Sequence, residues 1–116
     1  MIINRHRGEI SARLDGKDWS LCLTLGALAE LEAAFAVDDI ATLAERFSTG
    51  RLSSTDMLKL IAAGLRGAGH TLSNDEVCAM QADGGATGFA RIVAELLTAT
   101  FGNADPQVPD KATENG

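Results

Sequence analysis

The stretch WSLCLTLGALAELEAAF, residues 19–35, changes its periodicity midway, and that change decides the fold. Trp19, Leu21 and Leu23 alternate, so they share one side of an extended chain. From Leu25 onward the spacing differs. Leu28, Leu31 and Phe35 recur at intervals of three and four, which places them on one face of a helix. One continuous segment thus passes from strand to helix, with Thr24 and Gly26 at the switch. The strand needs a pairing partner, and the helix needs an apolar surface to cover. Gly26 and Ala27 are small, so the start of the helix is expected to pack closely on the strand, with Leu28, Leu31 and Phe35 in a shared core.

The pairing partner lies immediately upstream. In residues 9–14, Ile10, Ala12 and Leu14 face one way and Glu9, Ser11 and Arg13 the other. Asp15-Gly16 follows, a dipeptide that tolerates the positive φ angles of a type I′ turn. A two-residue loop pairs Leu14 with Lys17, Ala12 with Trp19 and Ile10 with Leu21. This register gathers Ile10, Ala12, Trp19 and Leu21 on one face. A lone hairpin is marginal in water, so helices must cover that face.

Downstream, capping signals divide the chain into helices. Thr24 caps the first, which runs to about residue 36. Asp38 or Asp39 caps a second over 40–48, where Ile40, Leu43, Ala44 and Phe47 share a face and Gly50 stops the run. Ser53-Ser54-Thr55-Asp56 is a capping box for a third helix ending near Gly67, and Ser73-Asn74-Asp75-Glu76 repeats the device for a fourth over 75–82. A fifth, over 86–100, carries the stripe Phe89, Ile92, Val93, Leu96, Leu97 and Thr100, with Arg91 and Glu95 spaced as an i,i+4 pair on another face. The fold class is α+β: an N-terminal β-hairpin packed against a bundle of about five short helices. Residues 1–102 form a single domain. Residues 103–116 are polar, proline-broken and aperiodic, and are expected to be a disordered tail.

Composition narrows the function classes. The chain has 116 residues, sixteen acidic against ten basic, and a net charge of −6. Nucleic-acid binding needs a clustered basic surface, and the only tight basic group is Arg5, His6 and Arg7. No nucleic-acid partner is expected. No stretch approaches the roughly 20 apolar residues of a membrane span, and no apolar run stands behind the N-terminal charges to make a signal peptide. No membrane partner is expected, and the location expected is cytoplasmic. Cys22 and Cys78 lie far apart outside any CxxC spacing, which reads as two buried, reduced thiols.

No catalytic, cofactor or metal site is legible. His70 sits in a glycine-rich turn without the spacing of a zinc site and reads as a solvated loop histidine. Gly64 to Gly69 closes a helix rather than opening one, so it is a cap and not a phosphate loop. The acidic pairs Asp38-Asp39 and Asp75-Glu76 stand at helix starts, where the dipole favours them. The chain is expected not to be an enzyme. What remains is apolar surface. Phe47, Met57 and Met80 are the candidate partner-binding residues, the methionines because they are flexible and polarisable. An apolar groove on an acidic helical domain suits an amphipathic helix from a partner.

Several segments together resemble a known family: Asn4-Arg5 and Arg7-Gly8-Glu9, the run Thr24 to Glu32 with Phe35, Ala63 to Gly69, and a closing helix ending Thr100-Phe101-Gly102. In order and spacing they are similar to the tail assembly chaperones of the gene transfer agent type, encoded in phage-like tail clusters. The resemblance covers Asn4 to Gly102. It implies a non-enzymatic chaperone of virion assembly that coats the tape measure protein, brings tail tube protein to it, and is absent from the finished particle. It carries over no catalytic residues and no cofactor. The alternatives are a minor structural tail or connector component, or a small regulatory protein-binding module. Self-association as a homo-oligomer is left open.

Overall fold

A computed structural model describes residues 8–102. The basic group Arg5 to Arg7 and the tail expected at 103–116 lie outside the described residues. Strands β1 (Glu9–Leu14) and β2 (Lys17–Cys22) form an antiparallel hairpin in the expected register, Leu14 with Lys17, Ala12 with Trp19 and Ile10 with Leu21. Asp15 and Gly16 both take positive φ, 56° and 74°, as a type I′ turn requires. One face carries Ile10, Ala12, Leu14 and Leu21, all buried, while Ser11, Arg13 and Asp18 look outward. Trp19 sits half-buried at the rim of that inner face, and its Nε1–H donates to the Leu14 carbonyl at 3.0 Å.

Five helices follow: α1 (Leu25–Phe35), α2 (Ile40–Ser48), α3 (Ser54–Gly67), α4 (Asn74–Cys78) and α5 (Gly85–Phe101). The arrangement is α+β, as expected. The caps explain the starts. Thr24 accepts from the Ala27 N–H, and Asp39 accepts from the Thr42 N–H at 2.7 Å. The Thr42 side chain and then its backbone amide hold the Asp39 carboxyl below the usual carboxylate range. Both capping boxes form, Ser53 with Asp56 and Ser73 with Glu76. At its far end α1 stops in a left-handed residue, Ala36, at φ 56°, and the Val37 N–H returns to the Glu32 carbonyl. An L-residue in that conformation costs about 1–2 kcal/mol. Ala36→Gly is therefore expected to stabilise the protein by about 0.5–1 kcal/mol after the larger unfolded-state entropy of glycine is counted. Urea unfolding measures this, and a lower midpoint would contradict it.

Helix α3 is the centre. Leu60 to Leu65 are six consecutive buried residues, so α3 is covered on every side near its middle. It packs on β2 and α1 and touches α4 and α5. Close approach to the hairpin depends on two glycines. A Cβ on Gly64 would stand 2.9 Å from Leu96 Cδ2 and 3.2 Å from Leu21 Cβ, and a Cβ on Gly67 would collide with the Cys22 carbonyl. Gly26, by contrast, is exposed, and a Cβ there would meet only Thr24 Oγ1 at 3.9 Å, so of the two small residues Ala27 alone packs closely, against Gly67 of α3. Leu31 is buried as expected, and Leu28 and Phe35 pack half-buried against the same core.

Two further expectations are corrected. Helix α4 ends at Cys78 and not near 82. The chain turns at Ala79 and runs back along β1: Ala82 bridges Leu14, the Asp15 N–H donates to the Gln81 carbonyl, and the Gln81 N–H donates to Asp15 Oδ1. Pairing with the hairpin end thus replaces the last helical turn. Arg91 and Glu95 are both exposed, and among the described residues they close no ion pair with each other. Their order, base before acid, is the weaker i,i+4 orientation on a helix.

Candidate functional site

The capped start of α3 turns Met57, Leu58 and Ile61 toward α4 and the first turns of α5. The space between these elements is an apolar groove of about 330 Å³. Val77, Cys78 and Met80 form its second wall, and Ala86 and Phe89 its third. Ser54 and Thr55 close the end nearest the α3 cap. Among the described residues no charged side chain lines it. Ile61 and Val77 give it a buried floor, while Cys78 and Ala86 are exposed at the lip and Met57, Met80 and Phe89 are half-buried. Long, unbranched methionine side chains at a lip can refit to different apolar occupants.

Two of the three candidate contact residues, Met57 and Met80, are thus brought together although they are far apart in sequence. Phe47 is not among them. It is 5% exposed, packed edge-on against Phe35 with ring centroids 5.2 Å apart. Arg46 and Lys59 both lie over the Phe35 ring, at 5.2 and 5.1 Å. This cluster staples α1, α2 and α3 together, and Phe47 has no free face to offer a partner. Cys78 and Ala86 are groove residues that periodicity did not single out, and Phe89, first in the apolar stripe of α5, was expected only as part of that stripe. The wall they build depends on the early stop of α4, and that stop is set by the non-local contact with β1.

The cysteines also differ from expectation. Cys22 is half-buried and Cys78 is exposed, and both are free thiols. Burial, and then the Glu9 carboxylate, push the Cys22 thiol up. Since the thiolate is the reactive form, a thiol reagent at pH 8 is expected to modify Cys78 first and Cys22 much more slowly. Peptide mapping over a time course reads this, and equal rates at both positions would contradict it.

A second, shallower cleft holds Arg66, His70 and Glu76. His70 is half-buried rather than solvated. Its Nε2 lies 3.3 Å from Ser20 Oγ, and its ring stands edge-on to Trp19 at 4.9 Å. A serine–histidine contact of this kind becomes catalytic only when a third group orients the ring. Here the ring's edge-on neighbour is the Trp19 indole, which supplies no charge. Arg66 is committed to Glu30 and to the Leu72 carbonyl, and Glu76 to the Ser73 amide. His70 thus holds the α3–α4 loop against β2, while Arg66 ties the end of α3 to α1 and to the loop. Among the described residues no three His, Cys, Asp or Glu side chains group as metal ligands, and no helix is long and apolar enough to cross a membrane.

A family model described as phage tail tube protein, GTA-gp10, matches residues 7–103. The match bears out the association with phage and gene-transfer-agent tails, and its description names a tail tube protein where the resemblance pointed to a tail assembly chaperone. No curated protein and no solved structure matches the chain.

Proposed function

The chain belongs to the family described as phage tail tube protein, GTA-gp10, and on that premise we propose that it is a tail assembly chaperone. In this reading it holds helical segments of the tape measure protein in the α3–α4–α5 groove and delivers them to tail tube subunits. The observation that carries the reading is the groove itself: uncharged, apolar, and lipped by Met57 and Met80 on a chain of net charge −6. A long helix-rich protein with exposed apolar stripes is prone to aggregate. A small acidic protein that covers one stripe at a time keeps such a chain soluble and is readily displaced. Co-expression tests this directly. A tape measure fragment is expected to move into the soluble fraction and to co-purify with this protein; equal insolubility with and without it would overturn the reading.

The family description favours a second reading, a structural subunit of the tail tube. Permanent subunit interfaces tend to be large and apolar. Among the described residues, Leu25 and Ile40 are the large hydrophobics that stand exposed. That sparse apolar surface suits a protein that binds and leaves better than a wall subunit.

A further inference from the structure

We propose that the groove selects a partner helix whose apolar stripe is flanked by basic residues. This rests on the reading that the groove takes a helical segment, and it adds the chemistry of that segment. The floor and lip carry no charge, so they match an uncharged stripe. The charges around them are unevenly distributed. On α4, Asp75 stands one turn before Cys78, on the neighbouring surface of the helix, and both are exposed. Asp83 lies three residues before Ala86, with its side chain 69% exposed and paired with Arg13 of β1 at 3.4 Å. The cations of α3 and α5 point elsewhere. Lys59 and Arg91 each follow a groove residue, Met57 and Phe89, by two positions, about 200° around the helix. Lys59 lies over Phe35, and Arg66 is paired with Glu30. Arg51 precedes the α3 cap and is not a lining residue. An apolar slot with the Asp75 carboxylate beside its lip, and with Asp83 already held by Arg13 of β1, is complementary to a basic amphipathic helix that meets Asp75. It disfavours an acidic one through like-charge contact.

The test uses the full chain and two synthetic helical peptides of about five turns, sharing one leucine and alanine stripe, with lysine flanks in one and glutamate flanks in the other. The lysine-flanked peptide is expected to bind at least about tenfold more tightly by fluorescence anisotropy, with the difference shrinking in high salt. Asp75→Lys is expected to weaken the lysine-flanked peptide by roughly three- to fivefold. Cys78→Arg, which puts a cation on the groove lip, is expected to weaken it further. In the unaltered protein the bound peptide should protect Cys78 from a thiol reagent, which locates the contact without any substitution. Equal affinity for both peptides, no binding of either, or binding that leaves Cys78 unprotected would each overturn the proposal. If the tape measure fragment is nonetheless solubilised, the chaperone reading stands and its contact lies outside this groove.

Discussion

Gly67→Ala is expected to destabilise the protein by about 3 kcal/mol or more, at the upper end of overpacking effects. Gly67 ends α3 where the helix passes over β2, and a Cβ there meets the Cys22 carbonyl. That neighbour is backbone, held by the hairpin ladder through the Glu9–Cys22 pair, so it cannot swing aside like a side chain. Relief requires α3 to lift off β2, which opens the contact between the most buried helix and the sheet. The Ala27 Cβ lies 3.4 Å from the same point and blocks a sideways shift. A folded domain of this size is stable by about 5–15 kcal/mol, so the variant should unfold at far lower urea or precipitate on expression. An unchanged urea midpoint would show that α3 does not sit this close to the hairpin.

Leu21→Ala is the second large effect, about 3–5 kcal/mol by the behaviour of leucines truncated in rigid cores. Leu21 is fully buried on β2, opposite Ile10 and within reach of Gly64 on α3. Its neighbours cannot collapse easily into the space. The sheet side is fixed by hydrogen bonds, and the α3 side has no side chain at Gly64 to move inward. Thermal unfolding of Leu21→Ala beside Leu25→Ala makes the comparison. Leu25 is 76% exposed, and its truncation should leave the midpoint nearly unmoved. Similar losses at both positions would contradict the burial pattern.

These two positions show what was legible in the sequence. Leu21 follows from alternation, because the register of a two-residue turn puts it opposite Ile10 on a face that must be covered. The helix starts at Thr24, Asp39, Ser53 and Ser73 were equally legible, since capping is local chemistry between residues three apart. Gly67 was legible only as a helix end. Its requirement comes from the Cys22 carbonyl, forty-five positions earlier in the chain, and no local spacing encodes that approach. The same limit hid the end of α4, where pairing of Ala82 with Leu14 outweighs helix propensity. It also shifted the centre of the fold. The 19–35 segment supplies one strand and one covering helix, whereas the helix buried on all sides is α3.

The candidate site divides in the same way. Met57 and Met80 were identified by side-chain type, and tertiary packing joins them in one groove. Phe47, near the end of a short helix, was expected beside them, but it lies in the core because α1 and α2 close over it through Phe35. Cys78 was expected to be buried and lies on the groove lip, because α4 stops there. Hydrophobic character marks a residue as buried or binding without distinguishing the two. Only the neighbouring helix decides which.

In the chaperone reading this chain acts during tail assembly and then leaves. Mass spectrometry of purified tailed particles, set against lysate from the same cells, tests it most directly. The chaperone account predicts peptides of this chain in the lysate and none above background in the particles, alongside abundant tape measure and tube peptides. Recovery of this chain in the particles at a fixed ratio to the tube subunits would contradict it and establish the structural reading.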